Sequence, residues 1–261
     1  MRTKWALSIV AILAFAAAFA TAEYSQWSFG GGLNLVWNSD GEGETPSGMG
    51  TGGTTGGLAS APSPIAGYLV AEYRLPINPQ VDFAPSASLY FMQYLWARER
   101  ALPAENENRT AFAPTLLLDM PFLYHFNQGR FDFSFGGGPA ILLRYAFLEA
   151  GVSEDEKLSP SDPLTAGEQV RAINGYLWGA GRWFCPTLQA SARYELETGW
   201  GANFTLRFGI PISNIWATPQ VPPIDSFMFM ASLIITPPVR TAEEAKAMGA
   251  EGGPQPKKSA P

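Results

Sequence analysis

From Leu188 to Ile212 the chain alternates apolar and polar positions with almost no slip. One parity runs Leu188, Ala190, Ala192, Tyr194, Leu196, Thr198, Trp200, Ala202, Phe204, Leu206, Phe208, Ile210, Ile212. The other holds Gln189, Ser191, Arg193, Glu195, Glu197, Asn203, Thr205 and Arg207, interspersed with glycines. A period of two sends these sets to opposite faces of a β-strand. Large apolar groups on one face, with Arg and Glu on the other, fit a transmembrane β-barrel that is greasy toward lipid and polar toward its lumen.

Strand patterning recurs over 25–38, 65–75, 81–96, 111–126, 131–148, about 170–183, and 226–236. In the first stretch Trp27, Phe29, Leu33 and Leu35 oppose Ser28, Gly30, Gly32 and Asn34. In the fourth, Phe112, Leu116, Leu118, Met120, Phe122, Tyr124 and Phe126 share a face. In the fifth, Phe131, Phe133, Phe135, Ile141, Leu143, Tyr145 and Phe147 point away from Asp132, Ser134 and Arg144. Ser39–Pro64, Ala97–Thr110 and Glu149–Gln169 are long connections, whereas 76–80, 127–130 and 184–187 carry turn chemistry. Long and short connections in alternation are the signature of an outer-membrane barrel with loops at the cell surface and turns in the periplasm.

The expected fold is therefore all-β, an antiparallel up-and-down transmembrane β-barrel. Eight strands result if 188–212 is one long seventh strand and Asn214–Asp225 a fourth outer loop, with both termini periplasmic. At about 3.3 Å per residue, that run reaches about 80 Å, far beyond a bilayer. A hairpin at Glu197–Gly201 gives nine segments instead, against the even-numbered habit of bacterial barrels; ten strands is the alternative total.

The N-terminus adds a compartment. Arg2 and Lys4 precede the apolar stretch Trp5–Ala20, and Ala20-Thr21-Ala22 is a cleavage motif, so residues 1–22 read as a signal peptide. Residues 23–238 form the barrel and 239–261 a low-complexity periplasmic tail, with a tether to the cell wall through Lys257 and Lys258 as its functional alternative. Without Arg2 and Lys4, 15 basic face 23 acidic residues, a net charge of −8, which argues against nucleic-acid binding. The single Cys185 cannot form an internal disulfide and reads as a buried or incidental thiol.

The inward parity collects Glu72, Arg74, Asp82, Asp119, Asp132, Arg144, Arg182, Arg193, Glu195, Glu197 and Arg207, nearly balanced in sign. An eight-stranded barrel is just wide enough to be filled by its own side chains. Charges in so confined a space are expected to pair into a network that plugs it. The sharper alternative is a narrow conduit, favoured by the inward Tyr90, Met92, Leu117 and Leu142. The lone His125, placed at the periplasmic rim without a nearby Ser, argues against an enzyme. No metal site or cofactor is expected, since one His and one Cys lie far apart in sequence.

The N-terminal strand, long first loop, alternating turns and loops, and the stretch Gly179–Glu195 resemble the small OmpA/OmpX/OmpW-like outer-membrane barrels. The resemblance covers most of 23–236 and is one of pattern. It implies localisation in the outer membrane of a diderm bacterium, with lipid as the surrounding partner. It further implies a structural or surface-interaction role through loops 39–63, 97–110 and 149–169 toward extracellular ligands, with a narrow OmpW-like channel for small or hydrophobic solutes as the alternative. The chain departs from the pattern in that about 25 residues follow its last expected strand, a tail too short to be expected to hold the peptidoglycan-binding domain of full-length OmpA.

Overall fold

The computed structural model describes residues 27–37, 64–97, 99–104, 111–158, 163–217 and 226–238. The expected signal peptide, the tail and most of the first loop lie outside these residues. Fourteen β-segments form one antiparallel sheet. They are β1 (Trp27–Val36), β2 (Ile65–Tyr73), β3 (Leu75–Asn78), β4 (Val81–Phe83), β5 (Ser86–Ala97), β6 (Arg100–Pro103), β7 (Ala111–Asp119), β8 (Phe122–Gln128), β9 (Phe131–Gly138), β10 (Ala140–Arg144), β11 (Phe147–Leu148), β12 (Thr187–Glu195), β13 (Gly201–Gly209) and β14 (Met228–Thr236).

These segments lie on eight long strands. The register of β5 on β7 continues as that of β4 on β8, and β8 on β9 continues as β7 on β10 and β11. The breaks fall at Ala84-Pro85, Met120-Pro121 and Pro139, where proline has no N–H to give the ladder. Their carbonyls keep the strands joined, accepting from Tyr73, Ala84 and Met120 at 2.9, 2.9 and 3.1 Å. Each long strand pairs with its neighbours in sequence, and β14 returns to pair with β1, so the described strands close the sheet on itself. The all-β antiparallel barrel expected from the sequence is present.

Two strand assignments change. Residues 170–183 are not a sixth strand: Ala166–Trp178 is a helix, α1, followed by a 3₁₀ turn at Gly179–Gly181. Thr165 and Glu168 form a reciprocal capping box at its start, satisfying two backbone donors that a helix leaves open. Nor is 188–212 one strand. The chain reverses at 196–200, with Gly199 at φ +80, and β12 pairs with β13 along their length. The loss of one strand and the gain of another leave eight.

The short turns at 79–80, 129–130 and 196–200 share one end of the barrel with Trp27 and Thr236. Residues 184–187, expected as a short turn at that end, instead finish the long connection through α1 at the opposite end. There Ile173 and Leu177 of α1 pack over the barrel mouth against Tyr90, Met92, Leu142 and Met228. Asn174 fixes the helix by accepting from Ala146 N (2.8 Å) and donating to Ala146 O (2.9 Å). A four-residue helix, α2 (Asn214–Ala217), lies at the same end.

The outer surface carries Phe29, Leu33, Leu69, Leu89, Phe91, Phe122, Phe135, Leu188, Phe204 and Leu233, all exposed. This apolar band runs around the barrel, whereas Ser28, Asn34, Glu72, Asp119, Gln189, Asn203, Thr205 and Arg207 are buried inside. The pattern is a soluble protein turned inside out.

Candidate functional site

The interior has two zones. At the loop end it is apolar and aromatic, with Tyr68, Tyr90, Tyr94, Leu117, Leu142 and Met230 buried beneath α1. From the proline level to the turn end it is polar, and its side chains form one connected chain of contacts.

That chain starts near the turns. His125, on β8, places Nε2 2.8 Å from Asp82 Oδ2 and Nδ1 3.2 Å from Asp132 Oδ1. Arg74 Nη1 lies 3.8 Å from Asp132 Oδ2, and Arg74 Nε donates to Glu72 Oε1 at 2.8 Å. Glu72 accepts from Gln189 Nε2 at 3.4 Å. The Gln189 carbonyl oxygen accepts from Arg207 Nε and Nη2 at 3.1 and 2.9 Å. Arg207 Nη1 donates to Ser88 Oγ at 3.3 Å, and its Nε lies 2.9 Å from Asp119 Oδ2. Thr187 donates to the other Asp119 oxygen. These residues come from six of the eight long strands, so the contacts span the lumen rather than decorate one wall.

Gly136 and Gly138 line this zone on β9; a Cβ there would run into the backbone carbonyls of Phe122 and Met120. Gly201 leaves the space that the Arg193 guanidinium occupies, its would-be Cβ lying 2.5 Å from Arg193 Nε. Arg193 sits in the field of the like-charged Arg74 as well as of Glu195, Asp132 and Glu72.

Of the eleven charged residues read from the sequence, Glu72, Arg74, Asp82, Asp119, Asp132, Arg193 and Arg207 meet in this zone. The other four lie elsewhere. Arg144 is at the loop end, donating Nη2 to Arg182 O at 2.8 Å. Arg182 follows the 3₁₀ turn and stacks 3.8 Å over the Tyr176 ring. Glu195 and Glu197 are exposed at the turn end, where Glu197 accepts from Arg130 Nη2 at 3.1 Å. Sequence reasoning left out His125, although parity with Leu123 between the outward Phe122, Tyr124 and Phe126 points it inward. It also left out the neutral Gln189, Ser88 and Thr187, because only charges were collected.

Cys185 is buried in the barrel wall. With its thiol shielded from reagent, the folded barrel is expected to be labelled by iodoacetamide at pH 8 at least about tenfold more slowly than the urea-unfolded chain. Equal rates would place Cys185 in open solvent.

No family model matches the chain, and no curated protein does. Solved structures similar to it include Neisserial surface protein A, with 9% identity, TM-score 0.38, and 81% of this chain and 95% of that chain covered. The outer membrane protein OprG from Pseudomonas aeruginosa is 12% identical, with TM-score 0.40 and coverage of 82% and 96%. Ail, the attachment invasion locus protein of Yersinia pestis, in complex with the heparin analogue sucrose octasulfate, is 8% identical, with TM-score 0.32 and coverage of 80% and 94%.

Proposed function

We propose that this chain is an outer-membrane β-barrel whose lumen is sealed and whose work is done at its loop end. The apolar outer band and the closed sheet support the membrane reading, since a closed barrel leaves lipid no unpaired backbone group. The carrying observation for the seal is the position of Arg207, buried across the lumen and bound to Asp119, Gln189 and Ser88 from three other long strands. Above it α1 covers the mouth. In this reading the short turns and both chain termini face the periplasm. The connections 39–63, 97–110 and 149–169 face outward as a non-catalytic surface for extracellular ligands, and the tail reaches toward the cell wall.

Insertion of the refolded mature chain into a planar bilayer tests the seal. Wild type is expected to give no discrete steps in about 1 M KCl, where screening is strongest. Regular steps in wild type would overturn it. They would favour the second reading, a narrow passage for small apolar solutes, which the aromatic upper zone under α1 supports.

A further inference from the structure

The interior charges do not balance without His125. In the polar zone Glu72, Asp82, Asp119 and Asp132 face Arg74, Arg193 and Arg207. Among the described residues of that zone the acids outnumber the arginines by one, and a charged imidazole closes the difference. His125 is the chain's single histidine. Its side chain is 10% exposed, so little water reaches the ring.

Both ring nitrogens meet a carboxylate. Nδ1 lies 3.2 Å from Asp132 Oδ1 on β9, in hydrogen-bonding geometry. Nε2 lies 2.8 Å from Asp82 Oδ2 on β4, an ion-pair distance without an aimed N–H. A neutral imidazole carries one N–H and one lone pair, whereas carboxylate oxygens only accept. Whichever nitrogen kept the lone pair would turn it on a carboxylate, so only the imidazolium suits both sides. Two cations work against it. Arg74, between β2 and β3, reaches Asp132 at 3.8 Å, and Arg193, on β12, acts on both Asp82 and Asp132. Arg74 is engaged more closely by Glu72, at 2.8 Å, and Arg193 has Glu195. Asp132 and Asp82 dominate the field at the ring itself. Attraction at contact distance outweighs repulsion from further away.

The contact also has mechanical consequences. β4 is three residues long and follows the turn at 79–80, where His125 N donates to Gln80 O at 2.8 Å. Asp132 follows the turn at 129–130. One side chain thus joins two turn-end hairpins.

We propose that His125 is a proton-dependent latch: as an imidazolium it ties Asp82 to Asp132 across the turn end, and it lets go when the proton is lost. Its release is alkaline, opposite in sense to a histidine switch that charges on acidification. The latch goes beyond the sealed-lumen reading and does not depend on it. It sits nearer the turns than Arg207, so a conducting barrel would hold the same imidazolium and a silent one would not prove it.

The single histidine makes the test clean. Nitrogen-15 NMR of the full mature chain, refolded in micelles with labelled histidine, reads both ring nitrogens. A free imidazole titrates near about 6.5 and is about nine-tenths neutral at about pH 7.5. His125 is expected to show two protonated nitrogens at that pH and to lose one only at higher pH. Asp82→Asn and Asp132→Asn are each expected to bring that loss about one pH unit or more closer to neutral. Urea unfolding in lipid vesicles gives a second readout. The folded state keeps a proton that the unfolded chain releases, so wild-type stability falls as pH rises above the unfolded value of about 6.5. His125→Gln is expected to flatten that fall. One bare ring nitrogen in wild type at about pH 7.5 would overturn the proposal, whether or not any variant refolds. So would an unchanged titration in an Asp132→Asn shown to be folded by circular dichroism, or equal pH slopes in wild type and a folded His125→Gln.

Discussion

Arg207→Ala is expected to destabilise the refolded barrel by about 3–5 kcal/mol, measured as a shift of the urea unfolding transition in lipid vesicles. That is the usual cost of removing one member of a buried ion pair. The loss leaves the Asp119 carboxylate buried without a cation beside it, with Thr187 as its side-chain donor, and strips Gln189 and Ser88 of their shared partner. The cost comes from the orphaned charge, not from the net worth of the pair. Replacing both members, Arg207→Met with Asp119→Leu, is therefore expected to recover most of the stability, because well-packed apolar groups of similar volume can match a buried pair. Arg130→Ala is the control. Its contact with Glu197 is exposed at the turn end, where solvent screens it, and the transition is expected not to move. A similar small effect from Arg207→Ala and Arg130→Ala would mean that water reaches Arg207 and that the lumen is not sealed.

The alternation made most of the barrel readable, and the two wrong strand assignments have separate physical causes. Residues 188–212 kept their phase through a reversal because Tyr194 faces Ala202 and Glu195 faces Gly201. In that register paired residues have the same parity, so the alternation passes through the turn unbroken. The hairpin at 129–130 shows the opposite case: Phe126 faces Phe133, parity inverts, and the turn was visible. The helix was missed for a different reason. Val170–Trp183 contains enough spaced apolar residues to imitate a buried strand, but Thr165 followed three residues later by Glu168 is a helix-start signal in the sequence itself. The inward face was legible as a set of residues, because parity dictates it. Which charges meet was not legible, since that depends on the stagger between strands far apart in sequence, such as the one that brings Glu72 beside Gln189.

Leu233→Arg carries the test of where the outer face resides. Leu233 lies near the middle of β14, opposite Gly31 on one side and Phe204 on the other, and is 56% exposed. On a water-facing surface an arginine there costs little and improves solubility. At the midplane of a bilayer it costs about 2–4 kcal/mol on a barrel, because the charge must drag water or headgroups inward. The cost falls toward the interfaces, so position along the strand becomes a ruler. Phe204→Arg, across the ladder from Leu233, is expected to match it. Tyr194→Arg, at the turn end of β12, is expected to cost much less, because it sits near the rim where the side chain can reach water. Unfolding transitions in vesicles read the three side by side. A steep midplane penalty with a shallow one at the rim places the band in lipid, whereas three equally small values would remove the membrane from the account while leaving the closed barrel and its sealed interior standing.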